Sequence, residues 1–392
     1  MIYFARHLLR NNSMSKRLVY ILNKVDADDS QHYVHVMRLM QHLQRLGWEV
    51  VILSEKGGRG TQNIQGCEVR YLSVNGGPIR ILRQLWQMVI LRLSGHRLIF
   101  VRITRPAALI VAALGPMMGY RSLYWLSGMV LDFDDRSKWA SRLIQKKITA
   151  FIVSRFDRFV TGPETMVKYY QDNMSVPESK ITMLYNDVAV PNEFRAPNWT
   201  IDIPLSILMV HRLSPVRRTD LYFGHILEAI ELATSKGIAI RLDVVGDGPE
   251  RELLQRTADI EYPNIEVVFH GAIANNKLSQ YYADAHIFLM PSYREGFPRV
   301  MLEAMSYGLP IVSTDAGGVS DIVGEEQRKF VAGRDDPARF ARLLTRLITD
   351  LDARDSLSRE NSLRVRKYST ANVAISYDEA LSDVLLSKRH KR

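Results

Sequence analysis

The chain has 392 residues, enough for two domains with separate cores, and 46% of it is hydrophobic, which excludes wholesale disorder. Its one cysteine, Cys67, excludes an intrachain disulfide and fits a reducing compartment. The 52 Lys and Arg against 42 Asp and Glu leave a net charge of +10, which suits anionic partners: nucleotide diphosphates, acidic lipid or nucleic acid.

Residues 1–17 are basic and lack a sustained apolar core with a small-residue cleavage site, so they do not read as a secretory signal. Short β-branched runs then alternate with amphipathic runs, the rhythm of parallel sheets flanked by helices. The first half predicts strands at 17–22, 49–54, 68–73, 97–103, 122–126, 159–162 and 181–185. A helix is expected over 31–46, where Val34, Met37, Met40 and Leu43 recur near helical spacing and Gly47 closes it. Residues 78–97 mix Ile79, Leu82, Trp86 and Val89 with Arg80, Arg83, Arg92 and Arg97. Two readings fit them: a helix packed on the sheet, or a basic amphipathic helix lying on an anionic membrane. Residues 98–119 are the most apolar part of the chain, but Arg102, Arg105 and Pro106 mark a buried strand, a turn and a short helix rather than a membrane span. Asp132-Phe133-Asp134 has the Asp-x-Asp form, as has Asp26-Ala27-Asp28. The preferred reading of 132–135 is an acidic start to a helix over 136–152, where carboxylates favour the dipole.

Residues 191–204 hold Pro191, Pro197 and Pro204 and read as a linker. The rhythm restarts with strands at 205–211, 241–245, 265–270, 286–290, 310–313 and 329–331, then a last amphipathic helix over 370–387 and the basic run 388–392. The expected fold is α/β: two Rossmann-like domains, 1–190 and 205–369, facing a central cleft, with the last segment, 370–392, packing back on the first. Ligands of such sheets bind beyond the carboxyl ends of the strands.

Four signals follow strands of the second half. His211-Arg212-Leu213-Ser214-Pro215-Val216-Arg217-Arg218 offers guanidinium groups that can clamp a diphosphate. In Val245-Gly246-Asp247-Gly248-Pro249-Glu250 two glycines turn the chain and would let backbone approach a ligand; a full G-x-G-x-x-G is not present. The third signal runs from Pro291 to Met305. There Glu295, Gly296 and Phe297 precede Pro298, which opens a helix containing Arg299, Val300 and Glu303. The first amides of that helix, aided by its dipole, form an anion site. The fourth, 314–321, carries the pair Gly317-Gly318.

Together these signals resemble the large retaining glycosyltransferase family of the GT-B fold (glycosyl transferases group 1, glycosyltransferase family four), over roughly 205–323. The resemblance implies that Arg212 and Arg217 bind the donor diphosphate, Arg217 standing at a lysine position and Arg218 at a glycine position. It implies that Glu295 contacts the donor sugar and Glu303 the ribose hydroxyls. Gly296, Phe297, Pro298, Arg299 and Val300 would cradle phosphates and sugar, and Gly246, Gly248 and Pro249 would lie near the nucleobase. Pro298 stands where glycine is common and has no amide hydrogen, so the site leans on the amides of Arg299 and Val300. In the first half, Ser30 and Gln31 occupy the place of a paired glycine, and Ser127 that of a frequent histidine.

The expected activity is metal-independent transfer of a sugar, with retention, from a nucleotide-diphosphate sugar to a glycan or lipid-linked acceptor. No cofactor is expected, and no cluster of His, Cys, Asp and Glu has zinc spacing. The expected place is the cytoplasm, peripheral on an anionic membrane face, in surface-polysaccharide synthesis. Rival readings are a same-fold epimerase or phosphorylase and a degenerate, non-catalytic subunit. A nucleic-acid binder rests on net charge alone, without a recognisable binding module.

Overall fold

The computed structural model describes residues 15–25, 34–72, 77–126, 139–191 and 204–387. Both Asp-x-Asp triplets, Ser30, Gln31, Ser127, most of the expected linker and the basic tail lie outside them.

In chain order the first sheet is built from β1 (Arg17–Lys24), β2 (Glu49–Lys56), β3 (Thr61–Ile64), β4 (Cys67–Tyr71), β5 (Leu98–Arg102), β6 (Arg121–Trp125), β7 (Arg158–Thr161) and β8 (Ile181–Met183). Between the strands run α1 (Val34–Arg45), α2 (Gly77–Leu93), α3 (Arg105–Leu114), α4 (Trp139–Arg155) and α5 (Glu164–Met174). The spatial order is β3-β4-β2-β1-β5-β6-β7-β8, parallel throughout except for the β3–β4 hairpin. That hairpin strand is missing from the sequence expectation. Its residues, Thr-Gln-Asn-Ile, are mostly exposed at the sheet edge and carry no apolar alternation to read.

The second sheet follows with β9 (Leu205–Val210), β10 (Ile240–Val245), β11 (Glu266–Gly271), β12 (Ile287–Met290), β13 (Ile311–Thr314) and β14 (Val331–Ala332). Its helices are α6 (Asp220–Thr234), α7 (Arg251–Arg256), α8 (Leu278–Asp284), α9 (Arg299–Ser306), α10 (Val319–Ile322), α11 (Glu325–Arg328), α12 (Pro337–Thr349), α13 (Leu351–Arg364) and α14 (Thr370–Leu386). The spatial order is β11-β10-β9-β12-β13-β14, all parallel. Each sheet therefore reverses its winding once, between β1 and β5 in the first and between β9 and β12 in the second. At such a switch point the loops after the two central strands diverge and leave a crevice.

Each sheet is covered on both faces. Leu18, Tyr20, Val50 and Val69 bury one face of the first sheet against α1 and α14, and Val19, Val51, Ile99 and Val101 the other against α2, α3, α4 and α5. Helix α14 thus belongs spatially to the first sheet: Tyr377 stacks on Phe100 at 5.9 Å and on Trp125 at 6.2 Å, and Asp378 accepts from Trp48 Nε1 at 2.8 Å. A second tie between the two halves is aromatic. Phe297 packs on Tyr185 (5.2 Å) and Tyr368 (5.5 Å), and its carbonyl accepts from Asn186 Nδ2 (3.1 Å). Among the described residues no helix is long and apolar enough to cross a membrane.

Candidate active site

The four glycine-containing or basic loops of the second half all leave the carboxyl ends of strands, and the structure zips them into one rim. The His211 amide donates to the Val245 carbonyl (3.1 Å) and the Leu213 amide to the Asp247 carbonyl (3.0 Å), joining the loops after β9 and β10. The Tyr293 amide donates to the Arg217 carbonyl (2.7 Å), joining the loops after β9 and β12. The Gly318 amide donates to the Gly296 carbonyl (2.6 Å), joining the loops after β12 and β13.

This geometry changes the meaning of the glycines. A Cβ on Gly246 would overlap the His211 carbonyl, one on Gly248 the Leu213 carbonyl, and one on Gly317 the Glu295 carbonyl. Their freedom serves the close approach of one loop to another, a requirement absent from the sequence reading. Pro249 is exposed and lies ahead of α7, which begins at Arg251.

Arg217 and Glu295 meet across the switch point of the second sheet, one from the loop after β9 and the other from the loop after β12. Arg217 Nη1 is paired with Glu295 Oε1, and the Glu295 side chain is only 8% exposed. Burial, and then the neighbouring charge of Arg212, lowers the pKa of Arg217 from its ordinary value. Arg212 itself is exposed beside it. Arg218 holds a left-handed backbone (φ +50°), the conformation favoured by the glycine whose place it takes, and its guanidinium lies 5.7 Å from the Tyr293 ring.

Helix α9 starts at Arg299, with Pro298 as its N-cap residue in extended conformation. Phe297, expected to line the cradle through its backbone, buries its side chain in the aromatic tie with Tyr185 and Tyr368, and its carbonyl accepts from Asn186. Glu303, one turn into α9, accepts from Tyr282 Oη (3.0 Å) and, more loosely, from Asn275 Nδ2 (3.5 Å). Burial, reinforced by Glu303, raises the Tyr282 pKa well above its ordinary value, so its hydroxyl keeps the proton it donates. A cavity of about 430 Å³ opens beside Glu303, lined also by Arg299, Asn275 and Tyr307, and by Arg38 and Gln65 from the first half. Arg299 faces Asp187 at 3.6 Å.

The structure therefore pairs Arg217 with Glu295, and sets Arg299 and Glu303 on the wall of one cavity, along one edge of the interdomain cleft. Sequence reasoning missed Arg38, Asp187, Asn275 and Tyr282. None stands in a motif, and only the paired Asn275-Asn276 after a strand offered a signal. Among the described residues no three His, Cys, Asp or Glu side chains group as a metal site.

Two Rossmann-like sheets of one strand order, facing each other across a cleft with a basic–acidic pair at the switch point, define the GT-B class of glycosyltransferases. Residues 194–364 match the family model for glycosyl transferases group 1, and residues 33–187 match the glycosyl transferase 4-like domain. The chain belongs to the group 1 family of GT-B glycosyltransferases. It is similar to the sulfoquinovosyl transferase SQD2 of Arabidopsis thaliana, 35% identical over 130 residues, covering 33% of this chain and 25% of that one. It is also similar to the capsular polysaccharide biosynthesis glycosyltransferase CapM of Staphylococcus aureus, 21% identical over 78% of this chain and 82% of that one. Among solved structures, HepE of Anabaena in complex with UDP and glucose superposes with a TM-score of 0.72 at 15% identity, over 94% of this chain and 100% of that one. The match spans only 25 to 41% of the length of the first of the curated relatives.

Proposed function

We propose that the protein is a retaining, metal-independent glycosyltransferase. It moves a sugar from a nucleotide-diphosphate sugar to a glycan or lipid-linked acceptor in the cytoplasm, in the synthesis of a bacterial surface polysaccharide. The observation that carries this reading is the Arg217–Glu295 pair at the switch point, next to the start of α9. HepE, whose structure holds UDP and glucose, and CapM, whose name places it in capsular polysaccharide synthesis, support the donor class and the pathway class.

In this reading the free site is neutralised internally, and donor binding exchanges partners. Arg217 turns with Arg212 to the diphosphate, which frees the Glu295 carboxylate to accept from hydroxyls of the donor sugar. Charge growing on the leaving diphosphate is met by the two guanidinium groups and by the amides of Arg299 and Val300. A leaving-phosphate oxygen takes the acceptor proton on the face of departure, and configuration is retained. Glu303, already oriented by Tyr282, accepts from the ribose hydroxyls, while Gly246, Gly248 and Pro249 border the nucleobase. The side lined by the first sheet receives the acceptor.

The test is thermal stabilisation by a panel of nucleoside diphosphates and their sugars, with and without chelator. At a hundredfold excess over Kd, a ligand that binds only the folded chain stabilises it by about 2.7 kcal/mol. We expect a shift with one nucleotide class, insensitive to chelator and lost in Glu303→Ala. No shift with any nucleotide would leave the degenerate-subunit reading in its place.

A further inference from the structure

Helix α2 is more apolar than a helix with one packed face requires. Its inner side buries Met88 and Leu91 on the sheet together with Gln84. Its outer side carries a second stripe, Ile79, Leu82, Trp86, Val89 and Leu93, at alternating spacings of three and four residues. This stripe is open to solvent: Leu82 is 66%, Trp86 63% and Leu93 83% exposed. It continues onto the loop after α3, where Arg92 Nε donates to the Met118 carbonyl (2.9 Å) and Met117 is 81% exposed. Side chains three and four apart form one face of a helix, so this is a contiguous patch rather than scattered exposure.

Charge makes the patch specific. Helices α2, α3 and α4 lie together on one face of the first sheet. Between them they carry eight Arg or Lys and no Asp or Glu. Residues 69–131 contain no acidic residue at all. Exposed Arg83, Lys146, Lys147 and Arg155 are among the cations. The acids of this face lie on its far helix, α5, with Glu164 and Asp172, so the cation-only patch is that of α2, α3 and α4.

We infer that the α2–α3–α4 face seats the protein on an anionic lipid surface. Leu82, Trp86 and Leu93 enter the headgroup boundary and the surrounding cations meet acidic headgroups. A second copy of the chain fits worse, since joining two α2–α3–α4 patches sets like charge against like. A nucleic acid would meet the cations but leave the apolar stripe in water. The surface also borders the cleft. Arg80, at the start of α2, faces the buried Glu55 at 3.7 Å, near the carboxyl end of β2. Resting on the proposed transferase reading, this makes the acceptor a lipid-linked one, delivered at the cleft mouth without leaving the membrane interface.

The experiment is flotation of the full chain with vesicles of phosphatidylcholine, or of phosphatidylcholine with phosphatidylglycerol, at low and high salt. We expect binding to the phosphatidylglycerol vesicles only, weakened by salt. The double variant Leu82→Glu/Trp86→Glu should lose it by about tenfold or more. Both side chains are exposed, so the variant should keep the thermal stability and nucleotide response of the parent. Equal partition to both vesicles, or undiminished binding by the double variant, overturns the inference. So does a concentration-dependent dimer in sedimentation that the double variant abolishes. Vesicle binding with no nucleotide response would remove the transferase reading and leave the lipid surface standing.

Discussion

Apart from the edge strands β3 and β8 the two sheets share one strand order, yet their rims draw differently on backbone and side chains. The rim of the second sheet is backbone on backbone: loops after β9, β10, β12 and β13 hydrogen-bond to one another, and glycines stand where a side chain would block the approach. Among the described residues the rim of the first sheet has backbone bonds between neighbouring strand ends, as Val25 to Lys56 (3.3 Å) and Ile103 to Trp125 (2.7 Å), and adds side-chain ties to them. Glu55, after most of β2, accepts from Thr104 Oγ1 at 2.7 Å. Arg102, at the end of β5, lies 4.5 Å over the Trp125 ring and donates to Tyr20 Oη (3.2 Å) and Asn186 Oδ1 (3.1 Å). Ile103, next to it, holds φ at +68°, a rare conformation for a β-branched residue. A rim made by backbone admits few residue types and so leaves a mark in the sequence. Ties made by side chains can be assembled from many combinations and leave none.

The strongest way to break this comparison is to put a methyl group where the second rim forbids it. Gly246→Ala or Gly317→Ala must both adopt a disfavoured backbone and push a neighbouring carbonyl aside. We expect each to cost about 3 kcal/mol or more in denaturant unfolding. Gly47→Ala, in the first half, has a positive φ of +89° but nothing within 4 Å of the added atom, and should cost only about 1 kcal/mol. Equal losses at Gly47 and Gly246 would show that φ alone, not loop-to-loop contact, fixes the second rim.

The same distinction explains what could be read in advance. The parallel strands announced themselves because buried on both faces they are nearly continuous apolar runs, as in Leu-Ser-Ile-Leu-Met-Val of β9. The pair Arg217 and Glu295 was legible as motif, since each follows a strand that ends at the switch point. That Gly246 and Gly317 face neighbouring carbonyls, and that Phe297 points into an aromatic tie, was not. The sequence marks where a side chain is forbidden or required but not what lies opposite. Asp187 and Tyr282 were invisible for the stronger reason that neither stands in a motif, so nothing in the chain points from them to their partners, Arg299 and Glu303.

A smaller effect separates two buried imidazoles, His211 at the second rim and His96 at the amino-terminal edge of the first sheet. His211, at the end of β9, is buried with Nε2 on Thr219 Oγ1 at 3.0 Å. Burial, and then Arg217, pushes its pKa down from 6.5 to about 3. The unfolded chain therefore takes up this proton first. The contribution of neutral His211 is intact above the unfolded value and is lost as pH falls from there toward the folded one. Between pH 6.5 and 4.5 the wild type should lose roughly 2 kcal/mol more stability than His211→Gln, whose amide can still reach Thr219. For His96 in the first half burial also lowers the pKa, but Glu49 opposes it, so His96→Gln should flatten the acid limb less. Parallel pH profiles for wild type and His211→Gln would contradict the assigned burial.

The finest test concerns Arg218, where the second rim departs from its own rule. The backbone keeps the left-handed turn (φ +50°) although the residue is not glycine. The turn is held from outside, because the Tyr293 amide is tied to the carbonyl of Arg217 and the Tyr293 ring is flanked by two guanidinium groups, Arg218 and Arg334, each at 5.7 Å. Two terms then compete in Arg218→Gly. Relief of the left-handed strain favours the variant by about 1 kcal/mol. The lost guanidinium–ring contact and the greater freedom of glycine in the unfolded chain oppose it by a similar amount. The expected result is a change within about 1 kcal/mol of zero. Arg218→Val should cost more than 1 kcal/mol, because a β-branched side chain meets the strain without supplying the ring contact. If glycine and valine behave alike in denaturant unfolding, the turn is not held by the rim. The sequence would then be free to vary here because the backbone is, and not because Tyr293 and Arg334 compensate.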